Sequence, residues 1–205
     1  MNKMTAIPQN YKNNVEWILG AYEDAGVTFP NGFQKDAIQN AVGARKTNKW
    51  KNWSCNISIC KTDKGEFVIV EDSGTMGLTG ENIPAEEINK LMASGETLDS
   101  TQRLARFTSM FNSGGNTTGG GLFGAGKSVY SVASDMYTYY FDSLREDGLY
   151  VANMNKCGQV QSVALENDEA QNFIYDFTGL NPKQTVGTRI IIESPKKELV
   201  ESILN

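Results

Sequence analysis

The chain has 205 residues, of which 40% are hydrophobic and 21% are charged, and its formal net charge is −5. These values are typical of one ordinary globular domain, and they argue weakly against a dedicated nucleic-acid-binding protein, which usually carries a strongly basic surface. The sequence contains no histidine, which excludes Ser-His-Asp and Cys-His catalysis and every histidine-bound metal. It shows neither a secretion signal nor an apolar run of about 18 residues, so we expect a cytoplasmic protein without a membrane span.

Hydrophobic periodicity and turn residues predict an α+β chain. Gly26 should end the first helix, Asn31 should cap the second, and Lys64-Gly65 should form the turn of a β-hairpin. Ser194-Pro195 should open the last helix. The predicted elements are helices at about 11–25 and 31–46; strands at 55–60 and 67–70; helices at 84–92, at 99–111 and from 125; strands at 136–141, 148–154 and 159–165; a helix at 168–176; a strand at 187–193; and a helix to 205.

The cysteines Cys55, Cys60 and Cys157 are odd in number and follow no secretion signal, which indicates free thiols. Cys55 and Cys60 fall on one predicted strand, where side chains five residues apart point to opposite faces. This spacing argues against a zinc site.

Two polar residues and a glycine, Asp36, Asn40 and Gly43, share one narrow arc of the second predicted helix, while the apolar residues between them occupy another. The carbonyl oxygen of an asparagine is a good magnesium ligand, and an acid one turn earlier can orient and deprotonate a water. A glycine lets a ligand approach the helix closely. The alternative is a solvated polar face with an incidental glycine.

The end of the second predicted strand carries the segment Asp72-Ser73-Gly74-Thr75-Met76-Gly77-Leu78. A carboxylate at a strand end can accept a hydrogen bond from an exocyclic amine, such as that of adenine. The glycines would let the backbone approach a flat ring, and Met76 and Leu78 would add apolar contact. Taken alone, an ordinary acidic turn explains this segment equally well.

A glycine-rich run precedes the helix predicted from 125, with the sequence Gly121-Leu122-Phe123-Gly124-Ala125-Gly126-Lys127-Ser128. Backbone amides at the start of a helix bind phosphates well. The run also matches the P-loop pattern of Gly, four residues and Gly-Lys-Ser. A P-loop should follow directly on a buried strand and open its domain, whereas here the polar residues 116–120 and about 120 residues of chain come first. The P-loop is therefore kept only as an alternative.

In this order the segments resemble the motifs of the GHKL ATPases, a superfamily named for gyrase, heat-shock chaperones, histidine kinases and MutL. The chaperone, MutL and MORC branches are the most similar, and the resemblance covers about residues 11–193. It implies a Bergerat fold, which is a two-layer α/β sandwich with a mixed, mostly antiparallel sheet, in a single domain over 1–205. Residues of about 79–121 would form the ATP lid, and the Gly- and Asn-rich stretch from Asn112 to Gly121 predicts a mobile loop there. The matching residues are Asp36 and Asn40, Asp72 to Gly77 with one extra residue, Gly121 to Gly126, and Gly187-Thr188.

The resemblance also implies a role for each matching residue. Asp72 would bind the adenine amine with help from Thr188, Asn40 would hold the Mg²⁺ that bridges the phosphates, and Asp36 would be the general base. The other nucleotide-binding residues that it implies are Gly43, Ala44, Gly74, Met76, Gly77, Leu78, Gly121, Leu122, Phe123, Gly124, Ala125, Gly126, Lys127 and Ser128.

Three residues depart from the family pattern. Asp36 stands where the family usually has Glu, and a misplacement of about 1 Å can cost about a hundredfold in rate. Gly43 removes a usual acid, and Lys127 replaces a common aromatic residue and could contact phosphate. ATP binding is therefore better supported than hydrolysis.

The sequence thus predicts a domain that binds Mg-ATP, hydrolyses it slowly and acts as a switch, in which ATP orders the lid and favours a homodimer. The alternative is a non-hydrolysing ATP-sensing interaction module. The chain is either the N-terminal part of a longer protein or ends in a docked helix, and further domains or partner proteins are expected. Nucleic acid is not indicated as a partner. By resemblance alone, chaperone-like, antiviral-defence and DNA-repair settings are suggested.

Overall fold

The computed structural model describes residues 4–6, 11–45, 52–96, 98–108, 128–156, 159–161 and 163–205. Its strands are β1 (Met4–Ala6), β2 (Ser54–Thr62), β3 (Gly65–Ser73), β4 (Thr138–Leu144), β5 (Tyr150–Lys156), β6 (Gln159–Gln161), β7 (Leu165–Glu166) and β8 (Gly187–Glu193). They form one sheet in the order β1-β6-β5-β4-β8-β3-β2, with β7 paired to β5 outside this path. All the strand pairs in the described ranges are antiparallel. The predicted α+β class is confirmed.

Helices cover both faces of this sheet. They are α1 (Tyr11–Asp24), α2 (Phe29–Ala44), α3 (Ala85–Ala93), α4 (Arg103–Thr108), α5 (Ser128–Val132), α6 (Asn167–Thr178) and α7 (Lys197–Leu204). Helices α2, α5 and α7 pack on one face, called the front, α1 packs over α5 and α2, and α6 packs on the opposite, rear face. Among the described helices, none is long and apolar enough to span a membrane.

The two faces hold separate apolar cores because successive strand residues point to opposite sides. On β3, Val68 and Val70 face the front core, where Phe33 of α2 is fully buried. Phe67 and Ile69 face the rear core with α6. The same alternation puts Cys55 against the front core and Cys60 against the rear core, which confirms the predicted opposite orientation of these thiols. Cys157 lies outside the described residues.

Three predicted helix starts are wrong; a local turn explains one of them and a tertiary contact explains another. Helix α2 begins at Phe29 after the N-cap Thr28, so Asn31 lies inside it. Helix α4 begins at Arg103, because the carboxylate of Asp99 accepts the backbone N–H groups of residues 101 and 102 and holds a turn. Helix α7 begins at Lys197, because the carbonyl of Ser194 accepts the N–H of residue 135 and residue 195 bridges to residue 134. The start predicted at 125 lies outside the described residues.

The rear face also carries a buried ionic network directly behind the front core. Asp142 is fully buried and accepts hydrogen bonds from Arg189, with the Nε atom at 2.9 Å, and from the hydroxyl of Tyr150. The side chain of Lys183 is 0% exposed and donates to Glu71 Oε1 at 2.6 Å. Strand register places Glu71, Arg189 and Asp142 side by side on β3, β8 and β4. Each buried charge in this network therefore has an opposite charge or a hydrogen bond.

Residues 79–96 and 98–108, the described part of the predicted lid, are held against the sheet. Ile88, Leu98 and Ala105 form a small core of their own. The side chain of Asn82 makes two hydrogen bonds to the backbone of Ala164, at 2.8 and 3.0 Å. The rings of Phe107 and Phe141 lie 4.8 Å apart, edge to face. This part of the chain is therefore docked, while the rest of the predicted lid lies outside the described residues.

Candidate functional site

The polar face of α2 makes two contacts with tyrosines. Tyr22 of α1 donates a hydrogen bond from its hydroxyl to Asp36 Oδ2 at 2.5 Å. Asn40 Nδ2 lies 3.1 Å from the hydroxyl of Tyr130 on α5. Gly43 is exposed, with open space where a Cβ would stand, and Ala44 ends the helix. The predicted arc of polar residues on α2 is thus present, and tyrosines from two other helices fix two of its members.

Asp72 is the last residue but one of β3, faces the front and is only 7% exposed. Its Oδ1 atom accepts hydrogen bonds from the Thr75 hydroxyl at 2.5 Å and from the backbone N–H of Thr188 at 3.0 Å. Among the described residues, both hydrogen bonds to this carboxylate reach Oδ1. Oδ2 receives no hydrogen bond from the described residues and can therefore accept one from a ligand.

The electrostatics of this corner follow from its burial. Burial raises the pKa of Asp72, although the hydrogen bonds from Thr75 and Thr188 and the charge of Lys183 oppose the shift. Cys55 is the cross-strand neighbour of Asp72. Burial, together with the negative charge of Asp72, raises the pKa of Cys55 to about 11. A neutral thiol and a poorly solvated carboxylate thus stand side by side at the end of the hairpin.

Thr188 and the turn after β3 are tied together by Ser143 of β4. The Ser143 hydroxyl donates to the carbonyl of Gly187 at 2.9 Å and lies 3.2 Å from the Thr188 hydroxyl. It also accepts the N–H of Leu78 at 2.9 Å. Leu78 is buried in the front core, and Met76 is half-buried. The structure therefore brings Asp72, Thr188 and Leu78 together, as the sequence predicts.

The glycines of the second segment are packed against the protein itself. Gly74 and Gly77 both have positive φ, at 74° and 69°. A Cβ on Gly74 would lie 2.1 Å from the carbonyl oxygen of Asn52, and one on Gly77 would lie 2.8 Å from that of Leu144. These two positions need glycine because the turn folds back onto the start of β2 and the end of β4. The approach of these glycines to a flat ring stays a prediction.

Replacing Gly74 with alanine should cost about 2–3 kcal/mol more free energy of unfolding than replacing Gly26 with alanine. Both residues have positive φ, at 74° and 65°, but the Cβ of the Gly26 variant would meet open space. Gly26→Ala thus isolates the cost of the backbone conformation, about 1–2 kcal/mol. Urea denaturation of both variants measures the difference. Equal losses would show that the turn relaxes away from Asn52.

Tyr130 contacts Asn40 of the first motif, feels the charge of Asp72 in the second and follows the third along the chain. It is 3% exposed on α5, the helix that follows the glycine-rich run. Burial raises its pKa, the contact with Asn40 opposes this, and the negative charges of Asp72 and Asp36 add to the rise. The backbone bridge between Arg45, just after α2, and Thr75 joins the first two motifs directly. Residues 121–127 lie outside the described residues, and Ser128 is the first residue of α5.

Sequence analysis missed four side chains that organise this site. They are Tyr22, Thr75, Tyr130 and Ser143. Thr75 had a local signal, since it lies between the two glycines of the second segment and three residues after Asp72. The other three act across sequence separations of 14 to 90 residues, so no local pattern marks them.

Known proteins resemble this chain in structure rather than in sequence. No protein-family model and no curated protein matches it. It is similar to a solved structure, the 43K ATPase domain of Thermus thermophilus gyrase B in complex with an aminocoumarin, with 18% identity and a TM-score of 0.44. The match covers 82% of this chain and 34% of that one, so this chain spans about a third of its length. Because the identity and the TM-score of this match are low, the candidate site rests on the residues of this chain alone.

Proposed function

We propose that this chain binds ATP at the front face of the sheet, with the exocyclic amine of adenine donating to Asp72 Oδ2. The observation that carries this proposal is the buried carboxylate whose Oδ1 is held by Thr75 and Thr188, while Oδ2 receives no hydrogen bond from the described residues. A donor on the ligand would satisfy Oδ2 in a residue that is only 7% exposed, where water competes poorly for the same hydrogen bond. Such a site would also reject a base that presents an acceptor at the same position.

The phosphates would extend from this pocket towards α2 and α5. Asn40 would offer its Oδ1 atom to Mg²⁺, because its Nδ2 atom faces the Tyr130 hydroxyl. A magnesium ion at this place would be held by one protein oxygen, phosphate oxygens and water. The glycine-rich run from Gly121 to Ser128 would bind the β- and γ-phosphates.

Hydrolysis would use Asp36 as the general base. Asp36 and Asn40 lie one helical turn apart, so the acid stands beside the proposed metal ligand. The short aspartate favours slow turnover, which suits a switch in which bound ATP orders the lid and favours a dimer within a larger assembly. A protein that binds MgATP without any turnover would be the alternative, a non-hydrolysing ATP sensor.

Calorimetric titration of MgATP into the wild type, Asp72→Ala and Lys127→Ala tests this proposal. We expect Asp72→Ala to abolish binding and Lys127→Ala to weaken it about tenfold or less, since Lys127 would add only one charged contact. The opposite pattern would support the P-loop alternative. That alternative requires a strand directly before the glycine-rich run, where the sequence has the polar residues 116–120. Circular dichroism of each variant controls for folding.

A further inference from the structure

The contact between Tyr22 and Asp36 joins two helices at the proposed general base. The hydroxyl of Tyr22 lies 2.5 Å from Asp36 Oδ2, and among the described residues it gives the one hydrogen bond to this carboxylate. The two residues are 14 positions apart, so the contact depends on the packing of α1 against α2 and not on local helical spacing. Oδ1 of Asp36 is left for another partner.

Packing fixes the ring of Tyr22 in this place. A Cβ on Gly32 of α2 would lie 2.6 Å from the ring atom Cε1, so the ring occupies the space that a side chain at position 32 would take. The ring of Phe29 is 6.4 Å away and tilted by 52°. Because glycine and an aromatic neighbour define the ring position, the hydroxyl is aimed at Asp36 by the fold itself.

The surroundings of Tyr22 favour its protonated phenol. Burial raises the pKa of Tyr22, and the hydrogen bond to Asp36 and the charge of that carboxylate raise it further. The Tyr22 hydroxyl is therefore the donor in its hydrogen bond to Asp36 Oδ2. A donor on Oδ2 restricts rotation of the carboxylate plane, which matters most for a short side chain with few ways to reach its target.

We propose that Tyr22 is a positioning residue for ATP hydrolysis, which holds the carboxylate of Asp36 so that Oδ1 accepts the proton of the attacking water. This inference rests on the proposed function. In the step that it serves, the water oxygen bonds to the γ-phosphorus and the bond from that phosphorus to the bridging oxygen breaks. The water proton passes to Oδ1 of Asp36 and later leaves to solvent, and ADP and phosphate are the products.

Steady-state kinetics and calorimetry of Tyr22→Phe test the role of Tyr22. We expect kcat to fall about ten- to a hundredfold, while the KM and Kd for MgATP change less than about twofold, because only the base is misplaced. Tyr175→Phe is the matched control, since Tyr175 lies on α6 and is 55% exposed, and it should leave kcat unchanged. In an Asp36→Asn background, Tyr22→Phe should have no further effect on kcat.

A readout without nucleotide completes the test. In protein labelled at tyrosine Cζ, Asp36→Asn should shift the NMR signal of Tyr22 and leave that of Tyr175 in place. Equal kcat in the wild type and Tyr22→Phe would overturn the positioning role alone. A wild-type protein that binds MgATP without turnover would overturn both this role and the hydrolytic part of the proposed function, and ATP binding would still stand.

Discussion

Replacing Asp72 with asparagine should weaken MgATP binding about a hundredfold or more while the fold stays intact. The asparagine Oδ1 can still accept the hydrogen bonds from Thr75 and from the N–H of Thr188. Its Nδ2 takes the place of Oδ2, so an amide donor would meet the donor of the adenine amine. Calorimetric titration measures the loss. Affinity within about threefold of the wild type would show that Asp72 does not bind the base.

The same substitution should stabilise the protein near neutral pH. Burial raises the pKa of Asp72, so the folded protein holds this proton more tightly than the unfolded chain does. The contribution of this proton to stability is fully present below the pKa of the unfolded chain and is lost as pH rises through the raised pKa of the folded protein. Above that pKa, the buried charge costs stability that an asparagine does not.

Thermal denaturation at two pH values checks the sign of this effect. We expect a higher Tm for Asp72→Asn than for the wild type at pH 7, and a smaller difference at about pH 4, near the ordinary pKa of aspartate. Asp72→Ala is the control, because it leaves the Thr75 hydroxyl and the Thr188 N–H without their acceptor and should lower Tm. A lower Tm for the asparagine variant at pH 7 would contradict the expectation.

Removing the carboxylate of Asp142 should cost about 3–5 kcal/mol of the free energy of unfolding. Asp142→Leu would leave the guanidinium of Arg189, which is 8% exposed, buried without its opposite charge. It would also remove the acceptor of the Tyr150 hydroxyl. Urea denaturation measures the loss, and the double variant Asp142→Leu/Arg189→Met should recover most of it, because no charge then remains unpaired.

The control for this prediction is an ion pair that is exposed to solvent on the protein surface. Lys61 and Glu66 lie 3.2 Å apart on the hairpin, with side chains that are 76% and 38% exposed. Lys61→Met should leave the free energy of unfolding unchanged within error, because solvent screens an exposed pair. If Asp142→Leu costs less than about 1 kcal/mol, the rear network is not a buried ionic network in solution.

The order of helices and strands could be predicted because its signals are local. The hairpin at 54–73 alternates in polarity around Lys64-Gly65, and α6 shows clear helical spacing. Helix starts were the weak point. Asn31 and Ser194 are both good N-caps by residue type, yet neither caps a helix here. Capping depends on which backbone groups remain unpaired after folding, and tertiary contacts decide that.

The candidate site could be predicted in part for the same reason. The contact between Asp72 and the N–H of Thr188 spans 116 residues, and only the order of motifs in a known family indicated it. Tyr22 and Tyr130 had no such guide, because tyrosines on apolar helix faces are common in cores. The rear network escaped prediction as well, since a charged residue in a strand gives no sign of which face it takes or which charge it meets.

The strict alternation of the two faces limits how this sequence can change by insertion or deletion. On β3, Glu71 belongs to the rear ionic network and Asp72 to the proposed ligand pocket, and on β4, Asp142 and Ser143 divide in the same way. One extra residue within either strand would turn the side chains that follow it to the opposite face of the sheet. A residue of the ionic network would then face the front, and a residue of the pocket would face the rear. Homologous chains should therefore differ in length at turns such as 63–64 and keep the length of β3 and β4 constant.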